Sequence, residues 1–389
     1  MKKYLGDLVG IISGSLLMSF PIFFMENFLF YWLAGVFYKI LAFGGLLIFL
    51  YFFCCLFRIK FRYGVIFLLF LELSIYVIFV LLKNDVNLPH FITARFQYVY
   101  KNRIRDAAPF NRELGRYDND LFYKLKSGNH QFSNIEFTNQ FSINSLGVRD
   151  DEKSLHFPKI ICLGDSFTMG WGVEQEATFP SLIENQTQVN TLNLGIASYG
   201  TAREYLIFQK TKFDSCKLLI IQYCENDDVE NREFIGNNFS LTISPQEKYI
   251  AAQNFNALRS SYFPFKYSFE FLGKIIRSIF RFKPNSPDPI FDKKQNTKDF
   301  FRILALIQKD FRGKIIIFNL ESYSTSDLVY KNFKEYLGLF PNQNIILFNA
   351  SEVLGKEDYY RIDDHIKTSG HKKIATGIIN LIYEHQLLD

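Results

Sequence analysis

Ser166 stands where a serine can act as a nucleophile. It follows a run of four apolar residues that is predicted to be a buried strand, and Gly164 ends that run in a tight turn before a helix. A serine on such a turn can present its hydroxyl to a substrate and its own backbone N–H to an oxyanion. A serine after an aspartate is also typical of a helix N-cap, so the prediction needs catalytic partners elsewhere.

A candidate base and its orienting carboxylate lie near the C-terminus. Asp363 and His365 are two residues apart, and in an extended loop their side chains point the same way. The Asp363 carboxylate is therefore expected to contact Nδ1 of His365, which leaves Nε2 to face Ser166. Asp364 is expected to point elsewhere, and His371 is expected to be structural.

Two other turns offer donors for an oxyanion. Gly195 follows the second predicted strand, and because it lacks a Cβ its backbone N–H can approach a substrate closely; the alternative is an ordinary turn glycine. Asn226 follows the third predicted strand and carries a neutral side-chain amide donor, although an asparagine in a turn also bonds to its own backbone. With the Ser166 N–H, these groups are candidates for an oxyanion hole.

The segments that carry these residues resemble, in chain order, the sequence blocks of the GDSL/SGNH hydrolase family. They are Gly164-Asp165-Ser166-Phe167-Thr168, Asn193-Leu194-Gly195, Cys224-Glu225-Asn226-Asp227 and Asp363-Asp364-His365. The resemblance covers about residues 159–231 and 298–385. Cys224 stands where the family usually has glycine, and Ile362 stands where many members carry the aspartate that orients the histidine.

This resemblance implies a serine esterase or acyltransferase that uses no cofactor. The catalytic residues would be Ser166, Asp363 and His365. The oxyanion hole would consist of Ser166, Gly195 and Asn226. Membrane-tethered members of the family often act on exported polysaccharides, which makes an ester-bearing glycan or lipid the expected substrate. No metal is expected, because the histidines and cysteines show no ligand spacing.

The chain from residue 159 onward predicts an α/β fold. Short apolar strands alternate with helical stretches, which is typical of a parallel sheet covered on both faces. Strands are expected at 159–163, 191–194, 217–223, 314–319 and 345–348. Helices are expected near 174–186, 201–212, 298–311, 326–339 and 370–385. The result is a doubly wound, flavodoxin-like sheet of about five strands, with its site at their carboxyl ends.

Residues 1–83 are predicted to be a transmembrane anchor. Three apolar stretches are long enough to cross a bilayer, and the spans are expected at about 8–25, 36–57 and 63–82. The basic N-terminus resembles that of a signal peptide, but no small-residue cleavage site follows. The apolar stretch 27–38 is expected to be interfacial, re-entrant or the tilted start of the second helix. Glu72 inside the third span is either functional or a partner for another helix or for an insertion.

Basic residues at the ends of these stretches predict the orientation. They are Lys2 and Lys3 before the first stretch and Arg58, Lys60 and Arg62 between the second and third. Both clusters are expected in the cytoplasm, which places residues 84 onward outside it. The expected location is the cytoplasmic membrane, as a multi-pass protein with an extracytoplasmic or periplasmic C-terminal catalytic domain.

Two further regions complete the predicted organisation. Residues 84–155 are expected to be an extracytoplasmic linker or subdomain, in which Arg149 either belongs to a linker strand or contacts substrate. Residues 156–389 are expected to form the hydrolase domain, with an insertion at 231–297. A basic aromatic helix in this insertion is a lid, a face resting on the bilayer, or a packing element.

Composition limits the partners. A formal net charge of +5 is mild and suits a basic membrane protein near anionic lipid, so the lipid bilayer is an expected partner and nucleic acid is not. The five cysteines are expected to be free thiols, since their spacing does not form a disulfide framework.

The expected function is a membrane-anchored serine esterase. It would hydrolyse carboxylic esters, such as O-acetyl or other acyl esters, on an extracytoplasmic substrate through an acyl-enzyme on Ser166. One alternative is an O-acyltransferase that modifies a cell-envelope polysaccharide. A second is an inactive SGNH scaffold in an envelope assembly, against which the complete set of site residues argues.

Overall fold

The computed structural model describes residues 2–24, 31–279 and 293–388. The chain divides into two compact units. The first contains Met1–Asp106 and Ile250–Pro287, and the second contains Ala107–Tyr249 and Asp288–Asp389. One boundary therefore falls inside the segment 84–155, and part of the predicted insertion groups with the N-terminal residues.

The strands are β1 (Gly115–Asp118), β2 (Phe122–Leu125), β3 (Gly128–Ser133), β4 (Thr138–Ile143), β5 (Ile160–Leu163), β6 (Thr191–Asn193), β7 (Leu218–Tyr223), β8 (Lys314–Asn319) and β9 (Ile345–Leu347). The α-helices are α1 (Lys2–Phe24), α2 (Tyr31–Leu56), α3 (Phe61–Lys83), α4 (His90–Val99), α5 (Ser166–Met169), α6 (Phe179–Thr187), α7 (Thr201–Gln209), α8 (Asp228–Gly236), α9 (Gln246–Ser260), α10 (Lys266–Ile279), α11 (Lys293–Asp310), α12 (Leu328–Leu339) and α13 (Thr368–Glu384).

A five-stranded parallel sheet organises the second unit, as predicted. Its order is β6-β5-β7-β8-β9, which is the 2-1-3-4-5 order of doubly wound folds when the strands are counted from β5. The direction of winding changes between β5 and β7, so the turns after these two strands border the crevice in which such sheets bind ligands.

Apolar layers cover both faces of this sheet. Successive side chains of a strand point to opposite faces, so Ile161 and Leu219 join one buried cluster with side chains of α7, α11 and α12. Ile160 and Ile220 join the other with side chains of α6 and α13. Full burial of each such side chain stabilises the fold by about 1.5–3 kcal/mol.

Two antiparallel hairpins precede the sheet. One consists of β1 and β2, and the other of β3 and β4. In the second hairpin Phe132 and Phe141 are buried against Met169 and Trp171, which follow the candidate nucleophile. The sequence predicts a linker or subdomain here without assigning these four strands, because the apolar residues are too scattered to show a period.

In the first unit, two helices are long and apolar enough to cross a membrane. The qualifying stretches are Lys39–Leu56 in α2 and Phe61–Lys83 in α3, whereas the apolar stretch of α1, Tyr4–Leu17, is shorter. Of the three predicted spans, the second and third are thus confirmed as long enough and apolar enough among the described residues. Met25, the last residue of the first predicted span, lies outside the described residues. The stretch 27–38 is, from Tyr31 onward, the start of α2; residues 27–30 lie outside the described residues.

Glycines allow α1 to lie against α2. A Cβ added to Gly14 would lie 2.6 Å from the backbone nitrogen of Phe49 and 2.9 Å from the carbonyl oxygen of Gly45. A Cβ on Gly10 would overlap the ring of Phe52. Small residues at a four-residue spacing, which permit such close approach, are typical of helix pairs in membranes.

Part of the insertion packs within the same unit. Phe263 and Phe269, before and within α10, join a buried cluster with Leu46 of α2 and Leu68 of α3. Glu72 of α3 accepts hydrogen bonds from the backbone N–H groups of Tyr267 and Ser268 at 3.2 and 2.7 Å. The Ser268 hydroxyl and the Tyr262 hydroxyl donate to the same carboxylate at 2.8 and 2.9 Å. The interpretation of Glu72 as a partner for the insertion is thus confirmed.

Candidate active site

A compact turn places Ser166 at the carboxyl end of β5. The Asp165 carboxylate accepts a hydrogen bond from the Phe167 N–H at 2.9 Å and so caps the short helix α5. A Cβ on Gly164 would lie 2.1 Å from Oγ1 of Thr168, so only glycine fits between strand and helix. The turn thus holds the Ser166 side chain at the edge of the sheet where the crevice opens.

Ser166, His365 and Asp363 form one continuous hydrogen-bonded chain. Nε2 of His365 lies 2.7 Å from Oγ of Ser166, and Nδ1 lies 2.5 Å from Oδ1 of Asp363. All three side chains are buried, with Asp363 fully excluded from solvent. The arrangement can transfer the serine proton to an imidazole whose orientation is fixed by a carboxylate.

Asp364 also contacts the imidazole, contrary to the sequence prediction. Its Oδ1 lies 3.1 Å from Nδ1 of His365, and its Oδ2 accepts a hydrogen bond from the Ser322 hydroxyl at 3.0 Å. The prediction assumed an extended loop, in which neighbouring side chains diverge. The backbone instead bends at each of residues 361–365, so both carboxylates turn toward the ring.

The two carboxylates govern the protonation of His365. Burial alone would lower the pKa of this imidazole, but the negative charges of Asp363 and Asp364 outweigh burial and raise its pKa to about 9. The site therefore favours the imidazolium form, which is the form that follows proton transfer from serine.

Aromatic side chains enclose the imidazole. The Trp171 ring stacks on His365 with a centroid distance of 5.0 Å and an interplanar angle of 21°. Its indole N–H donates to Oδ2 of Asp363 at 3.2 Å, and Phe167 lies 4.9 Å from the imidazole on a tilted plane. Sequence reasoning missed Trp171, although a tryptophan five residues after the nucleophile needs an acceptor for its N–H when buried.

The Gly195 N–H is engaged rather than open, so its predicted oxyanion role does not fit. It donates to Oδ1 of Asn193 at 2.9 Å. A Cβ on Gly195 would lie 2.3 Å from the backbone nitrogen of Met169, so glycine is needed for packing against the end of α5. Gly195 therefore does allow a close approach, but the group that approaches it is the backbone of Met169 and not a substrate.

Ser198 has a backbone N–H that no sequence pattern gave reason to consider. It adopts a φ of 63°, which is uncommon for a residue with a Cβ, and within the described part of the chain its N–H has no hydrogen-bond partner. Tyr123 holds this loop by donating its hydroxyl to the carbonyl oxygens of Ala197 and Ser198 at 3.1 and 3.0 Å. Ser198 lines a cleft of about 220 Å³ together with Asn226.

Asn226 keeps an exposed side chain on the turn after β7. Among the described residues, no group accepts a hydrogen bond from its side-chain amide. The turn itself is fixed through Cys224, whose N–H donates to Oδ2 of Asp227 at 3.5 Å. Cysteine in place of glycine is therefore compatible with a turn that leaves the Asn226 amide available.

Arg149 and His371 are structural. The Arg149 guanidinium is buried and donates to the carbonyl oxygens of Gly170, Val173 and Gln140 at 2.5, 2.8 and 2.9 Å. It thus joins β4 to the loop after the nucleophile. Nδ1 of His371 accepts a hydrogen bond from the Phe179 N–H, and burial lowers the pKa of His371 to about 3, so its ring is neutral.

Asp363, Asp364 and His365 also have the residue types of a metal site. Their ligand atoms lie within 4.8 Å of one another, and no other such group of three occurs among the described residues. A metal on Nδ1 would have to replace the proton that bridges to the carboxylates. The hydrogen-bonded arrangement fits a proton-transfer site better than a cation site.

No family model matches the chain, and no curated protein matches it. Among solved structures, the chain is similar to a lipolytic protein described as G-D-S-L family from Desulfitobacterium hafniense DCB-2. The identity is 13%, the TM-score is 0.34, and the match covers 57% of this chain and 98% of that one.

Two esterases are similar to the same degree. One is a family two carbohydrate esterase from Clostridium thermocellum, with 10% identity, a TM-score of 0.37 and coverage of 60% of this chain and 65% of that one. The other is an acetyl xylan esterase from Butyrivibrio proteoclasticus, with 12% identity, a TM-score of 0.35 and coverage of 60% and 65%. Similarity of this degree shows no activity or substrate for this chain.

Proposed function

We propose that this protein is a serine esterase that forms an acyl-enzyme on Ser166. The observation that carries the proposal is the continuous hydrogen-bond chain from Ser166 through His365 to Asp363, with distances of 2.7 and 2.5 Å. Such a chain provides a nucleophile, a base in contact with it and a carboxylate that orients the base.

The residues account for each proton in the reaction. Oγ of Ser166 attacks the ester carbonyl carbon while its proton passes to Nε2 of His365. Collapse of the tetrahedral intermediate breaks the bond to the alcohol, and the imidazolium returns that proton to the leaving oxygen. A second hydroxyl, from water or from an acceptor, then attacks the acyl carbonyl carbon while its proton passes to Nε2 of His365. Collapse of this second intermediate breaks the bond to Oγ of Ser166, and the imidazolium returns the proton to that oxygen. Asp363 and Asp364 stabilise the imidazolium in both halves.

Three donors are proposed for the oxyanion. They are the Ser166 N–H at the start of α5, the Asn226 side-chain amide and the Ser198 N–H, which takes the role that the sequence assigned to Gly195. Each is a neutral donor and needs no change of charge during the reaction. Removing one such donor typically costs about 10²–10³ in turnover.

The catalytic unit is proposed to lie outside the cytoplasm, tethered by α2 and α3. The turn between these helices carries Arg58 and Lys60, and basic turns remain in the cytoplasm. If this turn is cytoplasmic, the end of α3 at Lys83 is outside, whether or not α1 also crosses. The packing of α1 on α2 through Gly14 supports a third crossing.

The proposed substrate is an ester-bearing glycan or lipid of the cell envelope, following the family resemblance. Release of the acyl group to water would make the protein a hydrolase, and transfer to a glycan hydroxyl would make it an acyltransferase. Release of acetate, compared with acetyl transfer to an added oligosaccharide, separates these two reactions.

A fluorophosphonate label tests the catalytic proposal. The purified protein is expected to be labelled covalently at Ser166 and to hydrolyse a chromogenic acetate ester. Ser166→Ala is expected to lose both activities by about 10³-fold or more, because no other group replaces the nucleophile. Ser215→Ala is a matched control, since Ser215 donates only to the carbonyl oxygen of Pro158. A folded wild-type protein without labelling or turnover would favour the scaffold alternative.

A further inference from the structure

We infer that Glu136 is a positioning residue that fixes the loop carrying Asp363 and His365. Glu136 belongs to the connection between β3 and β4, outside every segment that resembles a hydrolase motif. The inference rests on the proposed function, because it assigns a role in the same proton-transfer site.

The Glu136 carboxylate binds three consecutive backbone N–H groups. Its Oε1 accepts from Arg361 at 2.9 Å, and its Oε2 accepts from Ile362 at 3.0 Å and from Asp363 at 2.6 Å. Consecutive N–H groups converge in this way only where the backbone bends, as it does at residues 361–365. The carboxylate therefore fixes the bend that turns Asp363 and Asp364 toward the imidazole.

The hairpin that carries Glu136 is itself anchored on the site. Phe137 lies 5.6 Å from the Tyr360 ring and 6.2 Å from the Trp171 ring. The Tyr360 hydroxyl donates to the carbonyl oxygen of Gly172 at 2.5 Å. The hairpin thus contacts both the loop before His365 and the loop after Ser166, and it sets the relative position of the two reacting groups.

The Glu136 carboxylate lies close to a second negative charge. Two carboxylates, Glu136 and Asp363, lie close together, and their repulsion is offset by the three N–H groups. Burial raises the pKa of Glu136 to about 7, with the Asp363 charge acting in the same direction. The neutral form is therefore accessible near pH 7, and Glu136→Gln, which copies the shape of that form, is expected to fold.

If the Glu136 contact only stabilised the loop, its loss would lower the stability of the protein, and the effect would not depend on Asp363. A positioning role predicts a loss of kcat, because displacement of a base by about 1 Å costs up to about 10²-fold in rate. Glu136→Gln is therefore expected to lower kcat for ester hydrolysis by about 10- to 100-fold, with KM within about 3-fold of the wild type. In an Asp363→Asn background the same change is expected to cost less than about 2-fold, since the two residues act as a unit.

Two variants serve as comparisons. Glu174→Gln is the matched control, because Glu174 accepts hydrogen bonds from Asn139 and Gln140 of the same hairpin at 3.1 Å. It is expected to keep its kcat. Glu136→Asp retains the charge but withdraws the carboxylate by one methylene, so it is expected to lose kcat as well. Full activity of Glu136→Asp would overturn the positioning role.

Hydrogen exchange at the amides of residues 361–363 tests the contact without activity. Faster exchange in Glu136→Gln, with Glu174→Gln unchanged, supports the inference. Unchanged exchange, or equal losses of kcat with and without Asp363, would overturn it. A wild-type protein that protects these amides through Glu136 but has no Ser166-dependent turnover would instead refute the proposed function.

Discussion

The imidazole of His365 lies between two carboxylates, and this sets the pH at which it can accept a proton. The base must be neutral to take the Ser166 proton, and its pKa is raised to about 9. Catalysis is therefore expected to increase as pH rises toward 9, rather than near the ordinary histidine pKa of about 6.5. At lower pH the imidazolium is already formed, and the serine hydroxyl has no acceptor.

Asp364→Asn is expected to shift this dependence. Removing one of the two negative charges makes the imidazolium less favourable, so the acidic limb of kcat/KM should move to lower pH by about 1 unit. The measurement is kcat/KM for a chromogenic acetate ester between pH 5 and 10. Ser322→Ala, which removes only a hydrogen bond to Asp364, should leave the limb in place. A loss of rate in Asp364→Asn without any shift would contradict the assignment.

The positions of site residues could be predicted from the sequence where a strand leads directly to them. Ser166 and Asn226 follow the adjacent strands β5 and β7, so a pattern that locates the strands also locates these side chains. The contact of Asp364 and the engaged N–H of Gly195 depend on backbone bends and on the Asn193 side chain, which have no signal in spacing. Glu136 gave no signal at all, because its partners are backbone groups more than 200 residues away.

At the scale of elements, Glu72 caps a helix that is distant in sequence. It is the middle residue of α3, and its carboxylate binds the first free N–H groups of α10. A helix N-terminus offers unpaired N–H donors, and a polar side chain within an apolar helix needs such donors. The contact therefore satisfies both elements and attaches the insertion to α3.

Glu72→Leu is expected to release the start of α10. The N–H groups of Tyr267 and Ser268 would lose their acceptor, which costs about 1–3 kcal/mol of stability for buried donors. Hydrogen exchange at residues 267 and 268 and thermal unfolding in detergent measure the change. Ser268→Ala removes one hydroxyl and should cost only about 0.5–1.5 kcal/mol. Unchanged exchange at both amides in Glu72→Leu would show that another group holds the helix.

The five strands of the parallel sheet were predicted within one residue because short apolar runs bounded by turns are distinctive, whereas the four hairpin strands were not predicted. The helices near 174–186 and 298–311 begin elsewhere, at Phe179 and Lys293. A separate 3-10 turn at Gln175–Ala177 precedes the first helix, and a polar first turn blurs the start of the second. The partner of the insertion was not predictable. An amphipathic pattern shows that a helix has an apolar face, but it does not show which surface covers that face.

At the scale of the whole molecule, the proposed location of the catalytic unit depends on one basic turn. With the basic turn between α2 and α3 in the cytoplasm, a reporter at the C-terminus is expected outside. Alkaline phosphatase fused there should be active in a bacterial host, and green fluorescent protein should be dark. The same reporters placed after Lys60 should give the opposite result. Fluorescence from the C-terminal fusion would overturn the proposed location.

The path of the chain between the two units has a consequence for biosynthesis. Strand β7 is translated before the segment Ile250–Pro287, which belongs to the first unit, and its neighbour β8 is translated after it. Until β8 emerges from the ribosome, β7 can pair with β5 but its other edge stays unpaired, and such apolar edges promote aggregation. Early packing of α10 against α3 would shorten the free chain between β7 and β8, because part of that chain is ordered before the sheet closes.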